Sequence, residues 1–116
     1  MNPTVALVQG VYFLVTGIWP LISMRTFLAV TGPKTDLWLV KTVGLILAVI
    51  GAVLLYAQMT AAVNPPVVFL AIGAAASLTV VEIVYVLNKV ISPIYLGDAI
   101  AEVILIAWWA ISLLVA

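Results

Sequence analysis

Three ionisable side chains lie well inside long apolar segments, where a charge requires a partner. Lys41, Glu82 and Glu102 are separated from the nearer polar end of their segments by about 7 to 9 Å, at about 1.5 Å per helical residue. If these segments are helices that cross a bilayer, the three side chains share a similar depth. A charge inside a bilayer is energetically costly, so each of them is expected to face other helices.

A fourth ionisable residue, Asp98, precedes Glu102 by four positions, which places two carboxyls on one face of a helix. Carboxylates so placed repel each other unless a cation or a shared proton lies between them. We therefore predict a ligand-binding site or a buried polar network around these acids. Its candidate members are Lys41, Glu82, Asp98, Glu102, Arg25, Tyr12 and Tyr85, with Thr16 and Thr42 beside them.

This polar layer has two compatible interpretations. In the first, a salt bridge between helices sets helix order and rotation, and it joins Glu82 or Glu102 to a cation. The available cations are Lys41 and Arg25. In the second, the same groups line a small polar cavity that opens toward the inner face of the membrane, where a ligand or a proton could bind.

The elements that must position these side chains are four apolar segments, each about as long as the 20 or so residues needed to cross a bilayer core. Turn-forming residues separate them at 31–36, at Asn64-Pro65-Pro66 and at Ser92-Pro93. Residues 21–28 mix apolar and polar positions, so they form either a short helix along the inner interface or a frayed continuation of the first segment. The spans are predicted at 3–23, 37–58, 67–88 and 96–116.

The composition excludes an ordinary soluble domain. Of the 116 residues, 67% are hydrophobic and only 7% are charged, which is too few to cover the surface of a globule of this size. We predict an all-α integral membrane protein. Residues 1–116 would form a single four-helix bundle with short loops and the lipid bilayer as its surroundings.

The basic residues predict the orientation of this bundle. Arg25, Lys34 and Lys41 lie in or beside the first loop and Lys89 begins the third, whereas the second loop and both tails contain no Lys or Arg. By the positive-inside rule, loops 1 and 3 are cytoplasmic and both termini face outward. The predicted location is the inner (plasma) membrane of a prokaryote.

Small residues predict how the helices pack. Gly10 and Gly17 are seven positions apart, as are Gly44 and Gly51, and Gly73 adds a small residue to the third span. Because apolar side chains gain nothing by leaving lipid for one another, small residues that let helix backbones approach closely favour association in a membrane. We expect a tight bundle.

Four charged residues, one of them the candidate site residue Asp98, also have ordinary roles at helix ends or in loops. Asp36 and Asp98 each open a span, where a carboxylate caps free backbone amides. Lys89 closes the third span and Lys34 lies in the first loop, so neither requires a functional explanation.

The residue inventory argues against most catalytic chemistry. The chain contains no cysteine and no histidine, which removes thiolate ligands and the usual haem ligand and proton shuttle. No nucleophile paired with a histidine base can be assembled, and we expect no cofactor. The chain has no basic face outside the membrane, so nucleic-acid binding is not expected.

The glycine-rich second span from Thr42 to Tyr56, together with the general helix plan, resembles the DoxX-like group of small four-span membrane proteins. This resemblance implies a four-helix membrane fold. The small multidrug resistance transporters have a similar length, but their essential glutamate lies in the first span, and the first span here contains no acid.

We therefore predict a non-catalytic membrane protein that acts through lateral helix contacts, as an accessory subunit of a larger membrane complex or as a homo-oligomer. One alternative is a binder of a lipid-like or small polar ligand in an inner-leaflet cavity. Another is a small proton-coupled transporter. Of these three predictions, only the role through lateral helix contacts implies self-association or contact with other membrane subunits.

Overall fold

The computed structural model describes residues 3–115, which form five helices and contain no strand. The predicted all-α class is confirmed. Ala116, the predicted last residue of the fourth span, lies outside the described residues. The helices are α1 Thr4–Ile22, α2 Met24–Thr31, α3 Leu37–Met59, α4 Pro65–Leu87 and α5 Tyr95–Val115.

Four of these helices, α1, α3, α4 and α5, are long and apolar enough to cross a membrane. Each begins and ends close to a predicted span. The eight residues of α2 are too few to cross a bilayer core of about 30 Å. Residues 3–115 therefore contain four candidate membrane spans and one short helix between the first two.

The break between α1 and α2 decides between the two predictions for residues 21–28. Ser23 leaves the helical conformation, with φ −144° and ψ 82°, and its hydroxyl accepts a hydrogen bond from the Thr26 backbone N–H. Thr26 in turn accepts a hydrogen bond from the Trp19 indole N–H at 2.9 Å. Residues 24–31 are therefore a separate, capped helix, and not a frayed end of α1.

The other helix ends follow local signals with one exception. At the start of α4, the Asn64 side chain accepts from the Val67 backbone N–H, and Pro65 occupies the first helical position, where no backbone donor is needed. After α4, Lys89 adopts a left-handed φ of 59°, which stops the helix. The prediction that the Asp36 side chain caps α3 is wrong, because it makes no capping hydrogen bond.

The four long helices associate as two pairs. α1 packs along α3, α4 packs along α5, and contacts between the pairs are sparser. The tight packing expected from the sequence is therefore concentrated within each pair.

Reciprocal glycine contacts hold α1 against α3. A Cβ atom on Gly44 would lie 2.5 Å from the Gly17 carbonyl oxygen, and one on Gly51 would lie 2.6 Å from the Gly10 carbonyl oxygen. These distances are too short for any side chain, so only glycine permits this approach. Gly73 on α4 has no atom within 4 Å of its Cβ position, so the prediction that it packs against another helix of this bundle is wrong.

The apolar core lies at the end of the molecule that contains the loop between α3 and α4. Its members come from the first turns of α1 and α4, from the last turns of α3, from the middle and later turns of α5, and from the loop between α3 and α4. The opposite end, near α2 and the loop between α4 and α5, is less filled. The core residues are Val5, Ala6, Leu54, Ala57, Val63, Val68, Ala71, Leu105 and Trp109.

The glycine contact predicts a difference between two identical substitutions. Gly44→Ala should lower the free energy of unfolding by about 1 to 3 kcal/mol, because the new methyl group forces two backbones apart. Gly73→Ala should be neutral or should raise it by up to about 1 kcal/mol, because alanine has the higher helix propensity and the site is open. Unfolding in detergent micelles, followed by circular dichroism, measures both. Equal free energies of unfolding for the two variants would show that the α1–α3 contact does not limit the stability of the fold.

Candidate ligand-binding site

A cleft of about 430 Å³ lies between the two helix pairs, at the end opposite the apolar core. One wall is formed by α1, α2 and α3, and the other by α4 and α5. Most of the lining is aliphatic and aromatic, from residues such as Phe13, Val40, Leu47 and Leu78. The polar side chains that line it are Tyr12, Thr16, Trp19, Thr31, Lys34, Glu82, Tyr95, Asp98 and Glu102.

Two glutamates of this cleft are buried without adequate partners. Glu102 on α5 is 0% exposed and Glu82 on α4 is 5% exposed. Neither oxygen of Glu102 has a hydrogen-bond partner, nor does Oε1 of Glu82. An unsatisfied buried polar group costs about 1 to 3 kcal/mol, and more if it is charged. The unpartnered oxygens therefore lower the stability of the fold, and a bound group that pairs with them could restore part of it.

The third acid of the cleft, Asp98, connects the two helix pairs. It lies in the first turn of α5 and is half-buried, and its Oδ1 accepts a hydrogen bond from the hydroxyl of Tyr12 on α1. The Glu82 carboxyl is within hydrogen-bonding reach of the Asp98 carboxyl. Three acids from two helices thus line the same cleft as one tyrosine from a third, and this tyrosine contacts one of the acids. Asp98 therefore has a tertiary role in addition to its place near a helix start.

The predicted salt bridge is wrong. Within residues 3–115, neither glutamate is bridged to Lys41 or Arg25. Both cations are exposed, as is Tyr85, and none of the three lines the cleft. The reason is rotation of the helices about their axes: α3 presents Val40 to the cleft, and the next residue, Lys41, points about 100° away from it.

Of the remaining predicted neighbours, Thr16 lines the cleft and Thr42 does not. Thr42 is exposed and donates to the Trp38 carbonyl oxygen of its own helix. The structure therefore brings together Tyr12, Thr16, Glu82, Asp98 and Glu102, and leaves the other predicted members outside.

Lys34 is a member of the cleft that the sequence analysis did not identify. Its Nζ atom lies 5.3 Å from the ring centroid of Phe27 and 5.1 Å from that of Tyr95, which are cation–π distances. The same atom donates to Thr31 Oγ1 at 2.9 Å and to the Gly32 carbonyl oxygen at 3.2 Å. Lys34 thereby fastens the loop before α3 to the start of α5. No local pattern signals this, because Tyr95 is distant in the sequence.

Gln9 is a second residue that the sequence analysis did not identify. It is fully buried; its Nε2 donates to the Ala71 carbonyl oxygen of α4 at 2.9 Å, and its Oε1 accepts from the Trp109 indole N–H of α5 at 2.6 Å. This network joins the two helix pairs within the apolar core. A single amide within the apolar first span was the signal that could have identified it.

The cleft does not have the geometry of a metal site. Among the described residues, no three acidic, histidine or cysteine side chains are grouped closely enough to hold a metal ion. Its chemistry is that of carboxyls in an apolar pocket with a phenol donor beside them.

Comparison of the chain with known protein families, with curated proteins and with solved structures gives no match. The resemblance in layout to the DoxX-like group stays a prediction. Function must accordingly be inferred from the geometry of the cleft.

The Gln9 network predicts that two glutamine substitutions differ in effect. Gln9→Leu should lower the free energy of unfolding by about 1 to 3 kcal/mol, because it leaves the buried Trp109 indole N–H without an acceptor. Gln58→Leu is the matched control, since the half-buried Gln58 already has an unpartnered Oε1 and should lose little. Chemical unfolding in micelles measures both, and an equal loss would contradict a specific role for Gln9.

Proposed function

We propose that this protein is a multi-pass membrane protein that binds a small amphipathic molecule in the cleft between its two helix pairs. The observation that carries this proposal is the presence of buried, unpartnered carboxyl oxygens in an otherwise apolar cleft. A purely structural network would be expected to satisfy its own polar groups. In this protein the polar atoms of the Gln9 side chain are hydrogen-bonded, whereas carboxyl oxygens of Glu82 and Glu102 have no partner.

The size and lining of the cleft support this proposal. Small-molecule pockets usually measure about 300 to 1,000 Å³ and combine apolar walls with a few polar groups that set orientation. The cleft, at about 430 Å³, has aliphatic walls and a carboxyl cluster at one place. A ligand with an apolar body and a hydrogen-bond-donating or cationic head fits this division.

The position of the mouth supports entry from the bilayer. Several lining residues are also substantially exposed, including Val30 at 51% and Val43 at 49%. Val43 lies on the candidate span α3, where an exposed valine faces lipid. The ligand is therefore expected to reach the cleft laterally, from the acyl region, and not from an aqueous pore.

The charge distribution supports an inner-leaflet location for the mouth. We propose that loops 1 and 3, with all four basic residues, are cytoplasmic, and that the membrane is the inner membrane of a prokaryote. The cleft lies at the end of the molecule near these loops. Its ligand would then come from the inner leaflet.

The lateral-contact role predicted from the sequence remains a second candidate. It is favoured by an apolar groove of about 610 Å³ near the loop between α3 and α4, where Gly73 faces open space beside Phe69, which is 82% exposed. Small residues next to a groove are suited to a helix of a second copy of this chain. An accessory-subunit role and a proton-coupled transport role stay predictions.

The orientation can be tested with single cysteines, because the chain contains none. We expect Ala62→Cys, in the loop between α3 and α4, to react with a membrane-impermeant maleimide on intact bacterial cells. Thr35→Cys, in the loop before α3, should react only after the cells are permeabilised. Labelling of Thr35→Cys but not Ala62→Cys on intact cells would reverse the proposed orientation.

Ligand binding can be tested with a photoreactive probe, an alkyl alcohol that carries a diazirine, in lipid nanodiscs. We expect it to label residues of the cleft, as located by peptide mass spectrometry. Val43→Trp should fill the cleft and reduce this labelling about tenfold, which corresponds to about 1.4 kcal/mol of binding free energy.

Val53→Trp is the matched control, since Val53 is a similarly exposed valine of α3 that does not line the cleft. It should leave labelling of the cleft unchanged, and circular dichroism should show that both variants are folded. Equal labelling in the two variants, or no preference for the cleft in the unmodified protein, would refute the proposed function.

A further inference from the structure

We infer that Glu82, Asp98 and Glu102 form the head-group site of the cleft, and that their ligand is a lipophilic organic monocation that enters in exchange for a proton. The inference rests on the proposed function and names its ligand class. It has two supports, the free acceptor atoms of the site and the absence, within residues 3–115, of a cation that forms a salt bridge with them.

The acceptor atoms are the first support. Glu102 is 0% exposed with both oxygens unpartnered, and Glu82 is 5% exposed with Oε1 unpartnered. Both glutamates line the cleft, so these atoms are available to whatever occupies it. When ionised, these oxygens can only accept hydrogen bonds, so they select a ligand that donates hydrogen bonds or carries positive charge.

The charged and titratable groups facing the site are the second support. α2 and α3 contribute no titratable side chain to the cleft. Lys34 is held by two aromatic rings and by oxygens of residues 31 and 32, and it forms no salt bridge with the acids within residues 3–115. The titratable side chains that line the cleft are Tyr12 from α1, Lys34 from the loop before α3, Glu82 from α4, and Tyr95, Asp98 and Glu102 from α5.

A proton or a cation must therefore compensate the acids. Carboxyls within hydrogen-bonding reach in an apolar site cannot all be ionised unless a cation pairs with them. Without a cation, at least one of them keeps its proton. When an organic cation enters, one carboxylic acid releases its proton to water, and the resulting carboxylate pairs with the cation. One positive charge leaves and one enters, so the charge inside the membrane is unchanged.

The walls select against inorganic cations. A small metal ion requires several oxygen ligands or retained water, and the described residues contain no grouping suited to a metal. An organic cation instead brings its own apolar body, which replaces lipid or empty space against the aliphatic walls. The expected ligand is thus a hydrophobic ammonium compound.

The test uses competition against the diazirine alcohol in nanodiscs of phosphatidylglycerol, which carries no ammonium group. The competitors are an alkyltrimethylammonium and its neutral analogue with a tert-butyl head, compared at equal mole fraction in the bilayer. Because the alkyltrimethylammonium is charged at every pH, any effect of pH on its competition must come from the protein. We expect the cation to compete at about a tenfold lower mole fraction than the neutral analogue. Because binding of the cation displaces one proton, this difference should grow about tenfold for each unit by which the pH is raised.

Variants assign the effect to the acids. Glu102→Gln and Glu82→Gln should lose the preference for the cation and should keep competition by the neutral analogue, which also reports that the cleft is folded. Asp36→Asn is the control, because Asp36 is exposed and lies outside the cleft. It should keep the preference.

Each failure has a separate meaning. Equal competition by the two compounds would overturn the inference and leave the proposed function standing, whereas no competition by either would count against both. A preference for the cation that does not change with pH would overturn the proton exchange. Weaker competition in nanodiscs of phosphatidylcholine would support the inference and show that the ammonium group of a zwitterionic lipid also occupies the site; unchanged competition would support a free cationic amphiphile.

Discussion

The close backbone contact between α1 and α3 is the constraint on which the rest of the architecture depends. Gly17 and Gly44 face each other so closely that neither tolerates a Cβ atom, and Gly10 and Gly51 repeat the contact further along. In lipid, where apolar side chains gain nothing by leaving acyl chains, such packing is a main source of helix association. It makes α1 and α3 one closely packed pair. The second pair, α4 and α5, can then meet it at one end and diverge at the other.

A buried polar side chain at the end with the apolar core is hydrogen-bonded, whereas buried acids at the end with the cleft are partly unpartnered. In the apolar core, Gln9 bridges α1 to α4 and α5, and its amide is satisfied on both sides. In the cleft, Glu82 and Glu102 retain unpartnered oxygens at a comparable degree of burial. A buried network that serves only stability is normally complete, because a half-satisfied one is worse than an apolar core. This contrast within one small protein is the physical reason for assigning function to the cleft.

Lysine positions show why the depth of a residue does not determine its partner. Counting residues predicts a similar depth for Lys41, Glu82 and Glu102, yet the side chain of Lys41 is exposed. Lys34, expected to be an ordinary loop residue, is enclosed by Phe27 and Tyr95 and lines the cleft. Axial position follows from counting residues, whereas the direction of a side chain around the helix depends on which neighbour the helix packs against. The predicted salt bridge failed for this reason.

By itself, the sequence determined the helical class, the four long apolar helices and most of their ends, because hydropathy and turn residues act over short stretches of chain. It also identified the acids of the cleft and Tyr12 as candidates, since polar groups in apolar segments stand out. Only the tertiary structure decided the pairing of α1 with α3 and of α4 with α5, the partnership of Gln9 with Trp109, and the exclusion of Lys41. These features depend on contacts between helices distant in sequence, and on rotations about helix axes that no local pattern encodes.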